Sequence, residues 1–143
     1  MSLASKPRFE ALHAMLVRNE DAIKRTLGQL ERLRQEIDAS IASAERAAVV
    51  AGAAASPVAL RDQYSLFWRA KAEEVVQLKT RLGVVDRDIE STRTALTEAH
   101  RQTLAIKELR NRDQELTTRR EQRMEARIMD EFGLRQNASL ASA

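Results

Sequence analysis

Arg112, Arg119, Arg120, Arg123 and Arg127 crowd one short stretch near the C-terminus. On a helix, the steps of seven, four and four from Arg112 through Arg119 and Arg123 to Arg127 share one broad face. Guanidinium groups present a planar fork that matches carboxylates. The i,i+4 pairs Arg119/Arg123 and Arg123/Arg127 set like charges side by side, weakening an isolated helix by roughly 0.2–0.5 kcal/mol each. A merely solvated face alternates its signs, so this one reads as a surface for an acidic partner. A second cluster, Tyr64, Phe67 and Trp68 between Arg61 and Arg69, has the composition of an interface hot spot. Its other reading is structural: Tyr64 and Phe67 plug the end of a helix pair while Trp68 covers a flank.

Chemistry beyond binding finds no residues to carry it. His13 and His100 are lone histidines without a nearby third ligand, and a zinc site needs three or four. Phosphate loops, Ser/His/Asp sets, HExxH and paired catalytic carboxylates are absent from the sequence, so no catalytic residue, cofactor or metal is expected. The chain has 143 residues, 43% hydrophobic but 3% aromatic, a composition of long helices that cannot easily wall off a dry pocket. A net charge of +3 gives no bulk attraction to nucleic acid, and Glu121 and Glu125 interrupt the arginine stripe without interleaved aromatics. With no cysteine, no apolar run longer than Ala47 to Ala55 and no apolar segment after Lys6 and Arg8, a cytoplasmic, non-enzymatic chain is expected.

The elements that must position these clusters are two coiled-coil seams. Phe9, Leu16, Ile23, Leu30, Ile37 and Ala44 recur every seven residues, with Leu12, Leu33 and Ala47 between them. A second seam, Val75, Leu78, Leu82, Val85, Ile89, Thr92, Leu96, Ala99, Thr103 and Ile106, alternates by three and four. Ser5 and Pro7 supply a helix start, and Gly52 with Ser56-Pro57 supplies a turn. The expected fold is all-α: a long antiparallel two-helix hairpin with a first arm at 1–50, a turn at 51–58 and a longer second arm at 59–133. Gly133 should stop that arm, leaving a flexible tail at 134–143.

Facing residues of a hairpin have a constant sum, and a sum near 108 pairs Leu30 with Leu78, Ile23 with Val85, Leu33 with Val75 and Phe9 with Ala99. On that register the first arm runs out opposite about residue 107, where the seam turns polar at Arg110 and Asp113. The rest of the second arm should then project alone, held by i,i+4 ion pairs such as Glu108/Arg112 and Glu115/Arg119. Leu116, Met124, Ile128 and Phe132 form a thin apolar line on it that needs something else to bury against. Gly28 and Gly83 fall at about the same level of the hairpin and could make it soft there.

Phe9-x-x-Leu12 followed by Arg18-Asn19-Glu20-Asp21, the Tyr64-x-x-Phe67 pair, and Arg119-Arg120-Glu121-Gln122 running to Met129-Asp130-Glu131-Phe132 resemble the FliJ family of flagellar type III export. The similarity covers nearly the whole chain in order, and the final Met-Asp-Glu-Phe is its most specific piece. The resemblance implies a hairpin similar to the central stalk of rotary ATPases, cytoplasmic and peripheral to the inner membrane. It implies that Phe9, Arg112, Arg119, Arg120, Arg123, Arg127 and Phe132 meet the hexameric export ATPase. It also implies that Tyr64, Phe67 and Trp68 meet the cytoplasmic domain of the export-gate membrane protein, with export chaperones as further candidate partners. Where relatives offer apolar residues to the gate, this chain has Lys71 and Glu74. Two alternatives stand beside a monomeric flagellar stalk: the equivalent stalk of an injectisome, and a self-associating coiled-coil scaffold.

Overall fold

The computed structural model describes residues 9–54 and 61–141. They form two helices and, among the described residues, no strand: α1, Glu10–Ala54, and α2, Arg61–Ala141. The class is the all-α one that the heptad spacing predicts. Glu10 and Asp62 in the first turns complement the helix dipoles. The expected start at Ser5 and Pro7, the turn residues 55–58 and the last two residues of the tail lie outside the described residues. The chain divides into two units, Met1–Arg18 with His100–Ala143, and Asn19–Ala99.

In the second unit α1 and α2 pair antiparallel. Ile37, Val85 and Ile89 form its buried centre, with Leu27, Leu30, Leu33, Ile41, Leu78 and Leu82 packed against them. Arg34 Nε donates to Asp86 Oδ1 at 2.6 Å on the flank, and Arg93 Nη2 lies 3.7 Å from Glu31 Oε1. Ile37, not Ile23, therefore faces Val85, and the sum of about 108 is corrected to about 120–124. Two physical causes add up. The helices end at Ala54 and begin at Arg61, so the turn is centred later than 51–58 implies. Each side chain also leans toward the N-terminus of its own helix, so contacting residues of an antiparallel pair both lie C-terminal to the level at which they meet.

In the first unit the start of α1 packs on α2 as far as Asp113. His13 N–H donates to the Phe9 carbonyl at 2.8 Å as the helix begins, and His13 Nδ1 accepts from Arg110 Nη1 at 3.2 Å. Arg110 and Asp113, expected beyond the paired region, are half-buried, and Arg110 Nε is buried without a hydrogen-bond partner. The unpaired part of α2 thus starts near Gln114 rather than 107, since His13 meets Arg110 in this unit. Its far end is also later: α2 passes through Gly133 to Ala141. A glycine ends a helix by taking a positive φ, and no glycine here has one.

A methyl group added at Gly28 or Gly83 would meet nothing within 4 Å. Gly28→Ala and Gly83→Ala should therefore each stabilise the chain by about 1 kcal/mol, the helix-propensity difference, which thermal unfolding followed by circular dichroism will read as a higher midpoint. Gly52→Ala should gain less or lose, because a Cβ there would come 2.5 Å from the Tyr64 hydroxyl.

Candidate functional site

The first unit carries the arginine face. From Gln114 to Ala141 every residue except Gly133 is exposed. Along this stretch the arginines separate into two kinds. Arg112 Nη2 is bound to Glu108 Oε1 at 2.6 Å, and Arg119 Nη2 to Glu115 Oε1 at 2.8 Å, the two i,i+4 pairs that the spacing predicts. Arg120, Arg123 and Arg127 make no ion pair among the described residues. Steps of three and four put these three on one face.

That face continues the seam. Counting on from Arg110 and Asp113 by fours and threes reaches Thr117, Arg120, Met124, Arg127, Glu131 and Leu134. Met124, Ile128 and Phe132 are each about 60% exposed, so the apolar line beside the arginines has no cover. Phe9, assigned to the same surface by resemblance, is instead half-buried at the start of α1. The structure brings Arg120, Arg123 and Arg127 onto one face of α2.

The aromatic cluster lies in the second unit, and its three rings part company. Tyr64 is half-buried across Gly52, its hydroxyl donating to the Ala48 carbonyl at 3.5 Å. Phe67 and Trp68 are exposed. The plugging reading thus describes Tyr64 and not Phe67. Trp68 forms a wall of an apolar groove of about 380 Å³ over Ala48, Val49, Ala72 and Val75. Sequence reasoning missed the α1 side of this groove. It placed the turn at 51–58, whereas α1 stays helical to Ala54, and it did not foresee that Val49 and Val50 stand out in solvent.

Lys71 and Glu74 also behave as a pair. Lys71 Nζ is 3.1 Å from Glu74 Oε2 and 5.6 Å from the centroid of the Phe67 ring, so the cation covers one face of that ring. Among the described residues no group of three His, Asp or Glu side chains is placed to hold a metal. No described helix is long and apolar enough to cross a membrane.

A family model described as the flagellar FliJ protein matches residues 5–139, nearly the whole chain. The chain belongs to the FliJ family. No curated protein and no solved structure matches it. FliJ proteins are non-enzymatic structural or chaperone-like proteins, and membership places this one in flagellar export. Two long helices, with no strand among the described residues, are the form that the family leads one to expect.

Proposed function

We propose that this FliJ protein is a monomeric stalk and coupling protein of the flagellar type III export apparatus, cytoplasmic and peripheral to the inner membrane. It promotes assembly of the hexameric export ATPase and links that ring to the cytoplasmic domain of the export gate, with export chaperones as further partners. The observation that carries this reading is the end of α2, exposed from Gln114 onward except at Gly133 and bearing Arg120, Arg123 and Arg127 without ion-pair partners among the described residues. A lone helix gains only tenths of a kcal/mol from each i,i+4 pair such as Glu115/Arg119, so most of its order must come from what it docks into. An opening in a protein ring lined by carboxylates suits a single cationic helix. The exposed Phe67 and Trp68 beside an apolar groove are the natural contact for the gate.

Removing the residues after Asp113 tests the proposal. The shortened chain should keep its paired helices, because the buried Ile37, Val85 and Ile89 are untouched. It should no longer retain a cytoplasmic export ATPase in a pull-down; undiminished retention would remove the ring-insertion idea. Light scattering of the full chain should give 16.1 kDa, where a dimer would favour the scaffold. Which ATPase co-purifies, flagellar or injectisome, distinguishes the two stalks.

A further inference from the structure

We propose that the charges flanking the seam of the second unit, Arg34 with Asp86 and Glu31 with Arg93, set the register of its helix pair. They select one alignment among heptad-spaced alternatives that the apolar seam accepts equally well. The proposal concerns the helix pair alone and does not rest on which proteins it meets.

The seam cannot choose by itself. Ile37 packs against Val85 and Ile89. Sliding α2 by seven residues one way would bring Leu78 and Leu82 to that place, and sliding it the other way Thr92 and Leu96, all of them seam residues of tolerable size. The turn end adds one shape-specific contact, the Tyr64 ring over Gly52, among otherwise small residues. Ala47, Ala48, Ala51, Ala53 and Ala54 close α1, and alanine accepts either side of a helix end at little cost. A pattern that repeats every seven residues needs a feature that does not repeat to fix its alignment.

Along the paired arms the flanking charges supply that feature. In the observed register Arg34 Nε meets Asp86 Oδ1 at 2.6 Å and Arg34 Nη1 lies 3.9 Å from Asp38 Oδ2. The hydrogen bond that Arg34 donates to Asp86, then the charge of Asp86, then that of Asp38 raise the Arg34 pKa, favouring a cation that guanidinium chemistry already keeps protonated. Arg93 sits 3.7 Å from Glu31 and 3.9 Å from Glu90. Seven residues before Asp86 stands Lys79, and seven after it stands Arg93. One slip therefore sets Arg34 against Lys79 and, at the same time, Glu31 against Asp86. The opposite slip sets Arg34 against Arg93. Every single-heptad error replaces an attraction with a repulsion.

Exposed ion pairs add little to stability, and these side chains are about half exposed. Register choice depends on a difference between alignments, in which lost attraction and gained repulsion count together. The same residues line a polar groove of about 510 Å³, and their mutual pairing accounts for its charge without a ligand.

The chain has no cysteine, so two spin labels can be placed at will. Ser43→Cys and Thr80→Cys are exposed positions in the second unit, outside these ion pairs. Double electron–electron resonance on the labelled full chain should give one distance. Exchanging the charges by Lys79→Asp with Asp86→Lys makes one slipped alignment attractive at both contacts and the observed one repulsive at the Arg34 contact. The helices should then slide by about 10 Å, seven residues at 1.5 Å each, seen as a new distance or a second population. An unchanged single distance overturns the proposal. Should the exchanged chain lose its helical circular dichroism, neutralising both pairs by Arg34→Gln, Asp86→Asn, Glu31→Gln and Arg93→Gln decides: a second distance supports the charges as the selector, and one unaltered distance overturns it.

Discussion

Reversing Arg120, Arg123 and Arg127 together to glutamate should weaken binding to the export ATPase by about 100-fold or more and leave the fold as it is. The fold is indifferent because the three side chains are exposed and make no ion pair among the described residues. The like-charge i,i+4 contact of Arg123 with Arg127 merely becomes another like-charge contact, while Arg119 gains an opposite charge four residues on. Binding is another matter. At about 1 kcal/mol for each of three lost charge-assisted contacts, a low figure for such bonds, about 3 kcal/mol is lost, and every 1.4 kcal/mol is tenfold. New repulsion against an acidic surface adds to that. Reversing Arg112 and Arg119 is the contrast, since their guanidiniums are already engaged by Glu108 and Glu115 and should contribute less than tenfold. Titration calorimetry at two salt concentrations reads both, and affinity of the parent chain should fall as salt rises. Equal affinity of the triple variant and the parent would leave the arginine face without a role.

The seams were legible residue by residue. Ile37, Ala44, Val85, Ile89, Ala99 and Thr103, all buried, lie on the two spacings read from the sequence. Glu20 was passed over because it is charged, although it occupies the gap between Leu16 and Ile23 on the same face. It is buried, its carboxylate 3.6 Å from Lys24. Register was not legible, because a heptad pattern shifted by a multiple of seven looks the same, and the sum near 108 differs from the observed one by about two heptads. Helix ends were blurred for a related reason: Val49 to Ala54 and the residues after Gly133 are compatible with helix, and propensity alone does not say where one stops. At the candidate site, the ion pairs of Arg112 and Arg119 were legible from the i,i+4 spacing to Glu108 and Glu115, but spacing alone would also have paired Arg127 with Glu131, which makes no ion pair among the described residues. Which aromatic would turn inward was not legible, since the position of the Tyr64 ring depends on the missing side chain at Gly52 across the pair.

Truncating Ile37 to alanine should cost about 2–4 kcal/mol, the range for removing a buried branched side chain and leaving its space partly empty. Ile37 is 3% exposed and shares one buried cluster with Val85 and Ile89, which are 6% and 5% exposed. Two helices can enclose only a thin core, and no side chain among the described residues falls below 2% exposure, so few neighbours can share the loss. Domains of this size are stable by only about 5–15 kcal/mol, which makes the change a large fraction of the total and roughly 10 °C in the thermal midpoint. Ile128→Ala is the matched control: the same chemical change at 62% exposure should shift stability by less than about 0.5 kcal/mol. If Ile128 nonetheless weakens ATPase binding when truncated, its apolar surface is used only in the complex. Two isoleucines would then divide the labour of α2, Ile89 against its own chain and Ile128 against another. Equal stability of the two variants would contradict the packing of Ile37 against Val85 and Ile89 in the second unit.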